Sequence, residues 1–194
     1  MKCSIHFLCT FLLFNVSVLA QQKDISFLQK NLDQAKTIYQ KIDVLNDYAD
    51  TLCLYKADTG RLLAMEALQL SHQYKYYKGI GEATHSLGLT HFRRRNDSAL
   101  YYFHQSRAAF LLQDPGISKL AFTLNNLSRT YGEKLQFDSA AYWAKEAIKA
   151  AQNATEISSL KNRWLMFGNG ALANAYEGQS LYDSASLYFL KAIL

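Results

Sequence analysis

The stretches "NDSALYYF" (96–103), "FDSAAYWA" (137–144) and "YDSASLYF" (182–189) are three versions of one phrase. Aligned on Ala99, Ala140 and Ala185, they place Phe103, Ala144 and Phe189 four residues on, and Ser106, Ala147 and Ala192 three further. Those are the i, i+4 and i+7 positions of one helical face. Upstream of each phrase stands a Leu followed by a small residue: Leu87-Gly88, Leu127-Ser128 and Leu172-Ala173. Three residues after the small one comes His91, Tyr131 or Tyr176, so a second helix carries its own notch. A short polar turn joins the two helices. Asp97, Asp138 and Asp183 stand where an N-cap carboxylate would accept the free N–H groups of the first turn. A weaker copy precedes these, with Tyr48-Ala49 and Leu52 on its first helix and Asp58, Gly60, Ala64 and Ala67 on its second. The marker residue recurs at spacings of 39, 41 and 45, from Gly60 to Ala99, Ala140 and Ala185. The first two copies have turns one residue shorter than the last two.

The repeated unit is therefore a helix hairpin, used about four times. One hairpin cannot bury its apolar face alone, and stacking buries a continuous core. The expected helices are a leading one near 23–32, then pairs at 36–55 and 59–76, 79–94 and 98–112, 117–134 and 139–152, and 156–178 and 184–194. Gln113-Asp114-Pro115-Gly116 is the clearest break between hairpins, and Lys78 through Gly81 reads as another inter-hairpin turn. The division that follows is a leader at 1–20, a leading helix or linker at 21–35 and an array at 36–194. The array splits into 36–76, 79–112, 117–152 and 156–194, the last expected to be truncated, as in a fragment of a longer protein.

Composition fits this reading. Apolar residues make up 49% of the 194-residue chain and charged residues 19%, enough for a core and for solubility. One Pro and nine Gly argue against a many-turned all-β fold. The first twenty residues resemble an export leader: Lys2, an apolar run from Phe7 to Val18 too short to span a bilayer comfortably, and Ala20 at the cut. An uncleaved anchor is the alternative. An exported location, periplasmic or on the periplasmic side of a membrane, is expected. Removing Lys2 lowers the formal charge of +5 to +4, with the cations scattered apart from Arg93-Arg94-Arg95, so no nucleic-acid stripe is expected. Cys53 alone remains after the leader and cannot form an internal disulfide, so it reads as a small apolar helix residue.

The residues resemble the tetratricopeptide repeat (TPR), whose pattern is Trp-x2-Leu-Gly-x2-Tyr, then Ala-x3-Phe, then Ala, then Pro. "LGLTH" with "ALYYFHQS", "LSRTY" with "AAYWAKEA" and "LANAY" with "ASLYFLKA" carry it, over about 36–194. The Trp slot holds Leu45, Thr84, Leu124 and Asn169, the Pro slot is empty, and the period is near 40 rather than 34. The resemblance implies an all-α, right-handed α-solenoid of about four hairpins that binds a protein or peptide on its concave face and performs no chemistry. The implied groove positions flank the notch: Asn46 and Asp50, His85 and Leu89, Asn125 and Arg129, Gly170 and Asn174. Asn amides can both donate to and accept from an extended backbone, and Arg129 can hold a carboxylate in a bidentate pair. The Hsp90-type carboxylate clamp is not expected, because its lysines have no counterpart. The longer repeats also resemble arrays that precede a membrane span and a histidine kinase or DNA-binding output in exported bacterial signalling proteins. A sensory or regulatory module is thus the alternative to a scaffold.

Nothing else in the sequence asks for chemistry. His85, His91 and His104 are spaced too irregularly to share one helix face, so no metal is expected. Arg93-Arg94-Arg95 reads as a solvated turn at a helix end, where cations suit the dipole. Tyr101, Tyr102, Tyr142 and Tyr188 read as hairpin packing residues. Asn96, Asn126 and Asn153 open sequons, a motif common by chance, and the first two lie where a helix turn or packing face is needed. No HExxH, Gly-rich phosphate loop or GxSxG is present, so neither a catalytic site nor a cofactor is expected.

Overall fold

The computed structural model describes residues 26–92, 94–113, 118–155 and 158–193. The expected leader at 1–20, Arg93, and most of the 113–116 break lie outside them. Nine helices and no strand occur among the described residues. After α1 (26–34) come α2 (Ile38–Leu52), α3 (Ala57–Gln73), α4 (Tyr77–His91), α5 (Asn96–Gln113), α6 (Ser118–Glu133), α7 (Phe137–Asn153), α8 (Ser158–Gly178) and α9 (Tyr182–Ile193). The hairpins are α2–α3, α4–α5, α6–α7 and α8–α9, each packed on its neighbours in chain order. The chain is all-helical.

Local signals set the helix ends. Thr37 opens α2 with a capping box: the Gln40 N–H donates to Thr37 Oγ1 and the Thr37 N–H to Gln40 Oε1, both at 3.2 Å. The turn-length difference has a hydrogen-bond basis. In the first two hairpins the Lys56 and Arg95 N–H groups donate to Leu52 and His91 carbonyls, four residues back. In the last two, the Gln136 and Leu181 N–H groups donate to Tyr131 and Tyr176 carbonyls, five residues back. The extra residue is Leu135 (φ 58°) or Ser180 (φ 61°), in the left-handed conformation of a Schellman cap.

Three expectations change. Asp58, Asp97, Asp138 and Asp183 lie one residue inside their helices, and the α3 and α7 N-caps, Lys56 and Gln136, make no side-chain cap. Two of the carboxylates instead reach the next hairpin. Lys134 Nζ donates to Asp97, and Gln179 Nε2 donates to Asp138 Oδ1 at 2.6 Å. Lys78 through Gly81 is helix rather than turn, the turn being Tyr74–Tyr76 with Lys75 at φ 51°. The glycines there serve close approach: a Cβ on Gly79 would sit 2.8 Å from Ile42 Cγ2, and one on Gly81 2.5 Å from the Phe110 ring. Tyr101 and Tyr142 face outward, two residues past the buried Ala99 and Ala140 and so off that face.

The core runs along the stack. Ala99, Phe103, Phe110, Leu120, Leu124, Leu127 and Ala147 form its centre, and Ala140, Ala144, Ala171, Leu172 and Ala175 continue it. Leu45, Ala67 and Ala83 begin it, with Leu32 of α1 packed against them. Gly88 is the notch in its purest form: a Cβ there would overlap the fully buried Phe103 ring. Gly88→Ala is expected to destabilise by about 1–3 kcal/mol through overpacking. Gly170→Ala, where a Cβ meets nothing within 4 Å, is expected to stabilise by up to about 1 kcal/mol. Urea unfolding checks both, and a neutral Gly88→Ala would sink the notch argument. Leu135→Gly, at a residue 75% exposed and left-handed, is expected to raise stability by about 1 kcal/mol.

Candidate functional site

The first helices of the hairpins form a row. α2 lies against α4 and α6 against α8, while α4 and α6 meet mainly through side chains. The α2–α4 and α4–α6 pairs differ at one register position. Gly79 on α4 leaves room for the Ile42 side chain of α2, and the equivalent residue on α6 is Lys119.

His85 fills the α4–α6 gap. It is fully buried between Phe103 and Phe122, with ring centroids at 5.5 and 4.7 Å. Its Nδ1 lies 2.8 Å from Thr123 Oγ1, and its Nε2 lies 3.4 Å from Asn126 Nδ2. The neighbours fix the tautomer. Arg129 Nη1 donates to Asn126 Oδ1 at 3.3 Å, so the Asn126 amide N–H faces His85. His85 Nε2 must then accept, leaving the proton on Nδ1, which donates to Thr123. Thr123 passes its own proton to the Lys119 carbonyl at 3.1 Å, and Ser106 donates to the Gly81 carbonyl at 2.7 Å. Burial, partly countered by Asp50 and reinforced by Lys119, pushes the His85 pKa down to about 4.

Beside this relay lies a charged cluster. Asp43 accepts from Tyr76 Oη and Lys78 Nζ, both at 2.9 Å. Glu82 Oε1 lies 3.9 Å from Lys78 and 3.7 Å from Lys119, and Asp50 Oδ2 lies 3.7 Å from Lys119. Burial raises the Glu82 and Asp47 carboxyls above their ordinary range, against the pull of Lys119 and Lys78. The register position that is Asp43 on α2 and Glu82 on α4 is Phe122 on α6 and Phe167 on α8. Phe122 stacks on Trp164 at 4.6 Å, and Trp164 contacts Phe167 at 5.8 Å. The row thus changes from acidic to aromatic along the stack. Phe122 and Trp164 were not among the expected site residues. Their register relation to Asp43, Glu82 and Lys119 was the available signal.

The expected groove positions divide. Asn46, His85 and Asn125 are buried, which corrects the reading of them as groove-facing. Asn46 Nδ2 donates 3.2 Å to the Gly79 carbonyl, a clamp between hairpins. Asp50 is half-buried and paired with Lys119. The Asn46, Asp50 and Asn125 Oδ1 atoms are buried without a protein donor among the described residues. Arg129 and Asn174 are exposed, from consecutive hairpins, and line one cavity of about 450 Å³ with Glu133 and Phe137. The Arg129 guanidinium also lies 4.9 Å over the Phe92 ring. The other chemistry-bearing residues are dispersed. Cys53 Sγ contacts the Ser86 carbonyl at 3.2 Å, and burial pushes the thiol up to about 12. His91 stacks on Tyr102, and His104 Nε2 lies 3.2 Å from Tyr131 Oη. Among the described residues no group of three His, Cys, Asp or Glu converges as a metal site, and no helix is long and apolar enough to cross a membrane.

His85 yields a pH prediction. A histidine whose folded pKa lies below the ordinary 6.5 contributes stability that is complete above 6.5 and is lost as pH falls toward 4. The stability advantage of the wild type over His85→Gln is expected to shrink by about 3 kcal/mol between pH 7 and pH 4. Histidine NMR should show the Nδ1–H tautomer and no titration above pH 5, and a midpoint near 6.5 would overturn the assignment.

No family model matches the sequence, and no curated protein matches it. Among solved structures the chain is similar to the crystal structure of BtubC (BKLC) from P. vanneervenii. The TM-score is 0.69 at 16% identity, over 89% of this chain and 70% of that one, which shows the fold that the two share.

Proposed function

We propose that the chain is a non-enzymatic, TPR-like scaffold that binds a peptide or protein segment along the row of first helices. The observation that carries this reading is the pairing of Arg129 and Asn174, exposed from successive hairpins on a single cavity of about 450 Å³. A guanidinium held over Phe92 can grip a carboxylate, and the Asn174 amide beside it can both donate to and accept from a backbone. The graded row adds direction. Basic residues of an occupant suit the Asp43 and Asp47 end, and apolar ones suit the Phe122, Trp164 and Phe167 end. The leader-like residues 1–20 place this work outside the cytoplasm in our reading.

Screening a random peptide library displayed with free C-terminal carboxylates tests the proposal. A consensus should emerge whose affinity falls at least tenfold with Arg129→Ala plus Asn174→Ala, at unchanged helical content; losing one charged hydrogen bond costs about 1.5–3 kcal/mol. Binding that the double variant leaves intact would remove the cavity from the reading.

A further inference from the structure

At two hairpin junctions, the carboxylate one residue inside a second helix is tied to the end of the next hairpin's first helix, Asp97 to Lys134 and Asp138 to Gln179. The first junction differs. Asp58 stands in the same place, yet among the described residues it forms no ion pair with Arg94 or Arg95 at the end of α4. A cavity of about 480 Å³ lies there, walled by Asp58 and Arg61 of α3, by His91, Arg94 and Arg95, and by Tyr102 of α5. Arg61 has no carboxylate partner among the described residues either, its Nη1 lying 3.8 Å from Met65 Sδ. Three guanidiniums against one carboxylate give the cavity a net charge of +2, with Asp58 counted. His91 and Tyr102 stack face to face in its wall, centroids 5.5 Å apart and planes 9° from parallel.

We propose that this cavity binds a dianionic phosphate group, as inorganic phosphate or as a small phosphate monoester. The guanidinium fork matches phosphate oxygens in paired hydrogen bonds, and its weak hydration makes it the cation suited to this contact. The dianion balances the net charge that Arg61, Arg94 and Arg95 leave against Asp58. The His91 imidazole reports occupancy. Burial, then Arg95 and Arg61, hold its pKa below the ordinary value, so an anion among those guanidiniums relieves the repulsion. The other charged or titratable groups facing it are Asp58 of α3, Arg94 and the Tyr102 phenol.

Calorimetric titration at low ionic strength uses inorganic phosphate, glycerol 3-phosphate and glutarate as probes, with histidine NMR alongside. Inorganic phosphate should bind at one site, move the His91 resonances and bind more tightly than glutarate. Tighter binding of glycerol 3-phosphate would identify a monoester as the ligand, and equal or weaker binding the free ion. Arg61→Gln and Arg95→Gln should each weaken phosphate binding by about three- to tenfold and together abolish it, with Arg163→Gln on α8 binding as wild type. Thermal melts establish that each variant is folded, and Arg61→Lys, which keeps the charge and loses the fork, should fall between. Phosphate bound no better than glutarate, His91 unmoved at saturation, or wild-type affinity in the Arg61→Gln/Arg95→Gln protein would each overturn the proposal.

Discussion

Everything in this molecule depends on a ring or a neighbouring backbone entering a gap that a missing side chain leaves. Phe103 sits against Gly88, Phe110 against Gly81 and Phe137 against Gly178. At the first turn, a Cβ on Gly60 would sit 2.6 Å from the Cys53 nitrogen. Protein interiors are close-packed, and dispersion contacts accumulate only at short range. The notches let neighbouring helices approach closely enough for alanines such as Ala99, Ala140 and Ala144 to be buried. The alanines then present a smooth face to the next hairpin. Without the notches the hairpins would stand apart, and the short side chains between them would line voids.

The same economy explains why polar residues gather where they do. The α2–α4 seam is tight because Gly79 carries no side chain, and its carbonyl accepts from Asn46. The α4–α6 seam has Lys119 at that register and is filled by His85, Phe122, Thr123 and Asn126. A gap of that width needs side chains that can hydrogen-bond one another, since buried polar groups without partners are costly. The neutral His85 satisfies this because it offers one donor and one acceptor in opposite directions. The histidinium would offer two donors, one of them toward the Asn126 amide N–H.

Much of this was legible in the sequence. The notch residues, the hairpin count and the shorter first two turns follow from spacing alone, and the hydrogen bonds of the Leu135 and Ser180 turns give the last its physical cause. Gly79 and Gly81 misled, because a glycine that breaks a helix and one that admits a neighbour look alike until the neighbour is known. The site residues were less legible for a related reason. Asn46, His85 and Asn125 occupy equivalent positions, and all three are buried, while a reading of one repeat does not show the hairpin some forty residues away that packs beside them. The aromatic column Phe122–Trp164–Phe167 joins two hairpins and is invisible to any window that spans one.

The unequal seams divide the array mechanically. Where two helices pack directly, as α2 and α4 do with Ile42 against Gly79, sliding one past the other meets hard repulsion at once. Where they are separated by His85, Phe122 and Asn126, small rotations of side chains absorb the same displacement. The α4–α6 seam is therefore the compliant joint between a first pair of hairpins and a second, and the His85 relay is the pin through that joint. The acidic end of the row lies mainly on one side of the pin and the aromatic end on the other. Under the proposed binding role, a segment that engaged both ends would set the angle between the two halves, so its length as well as its chemistry would matter.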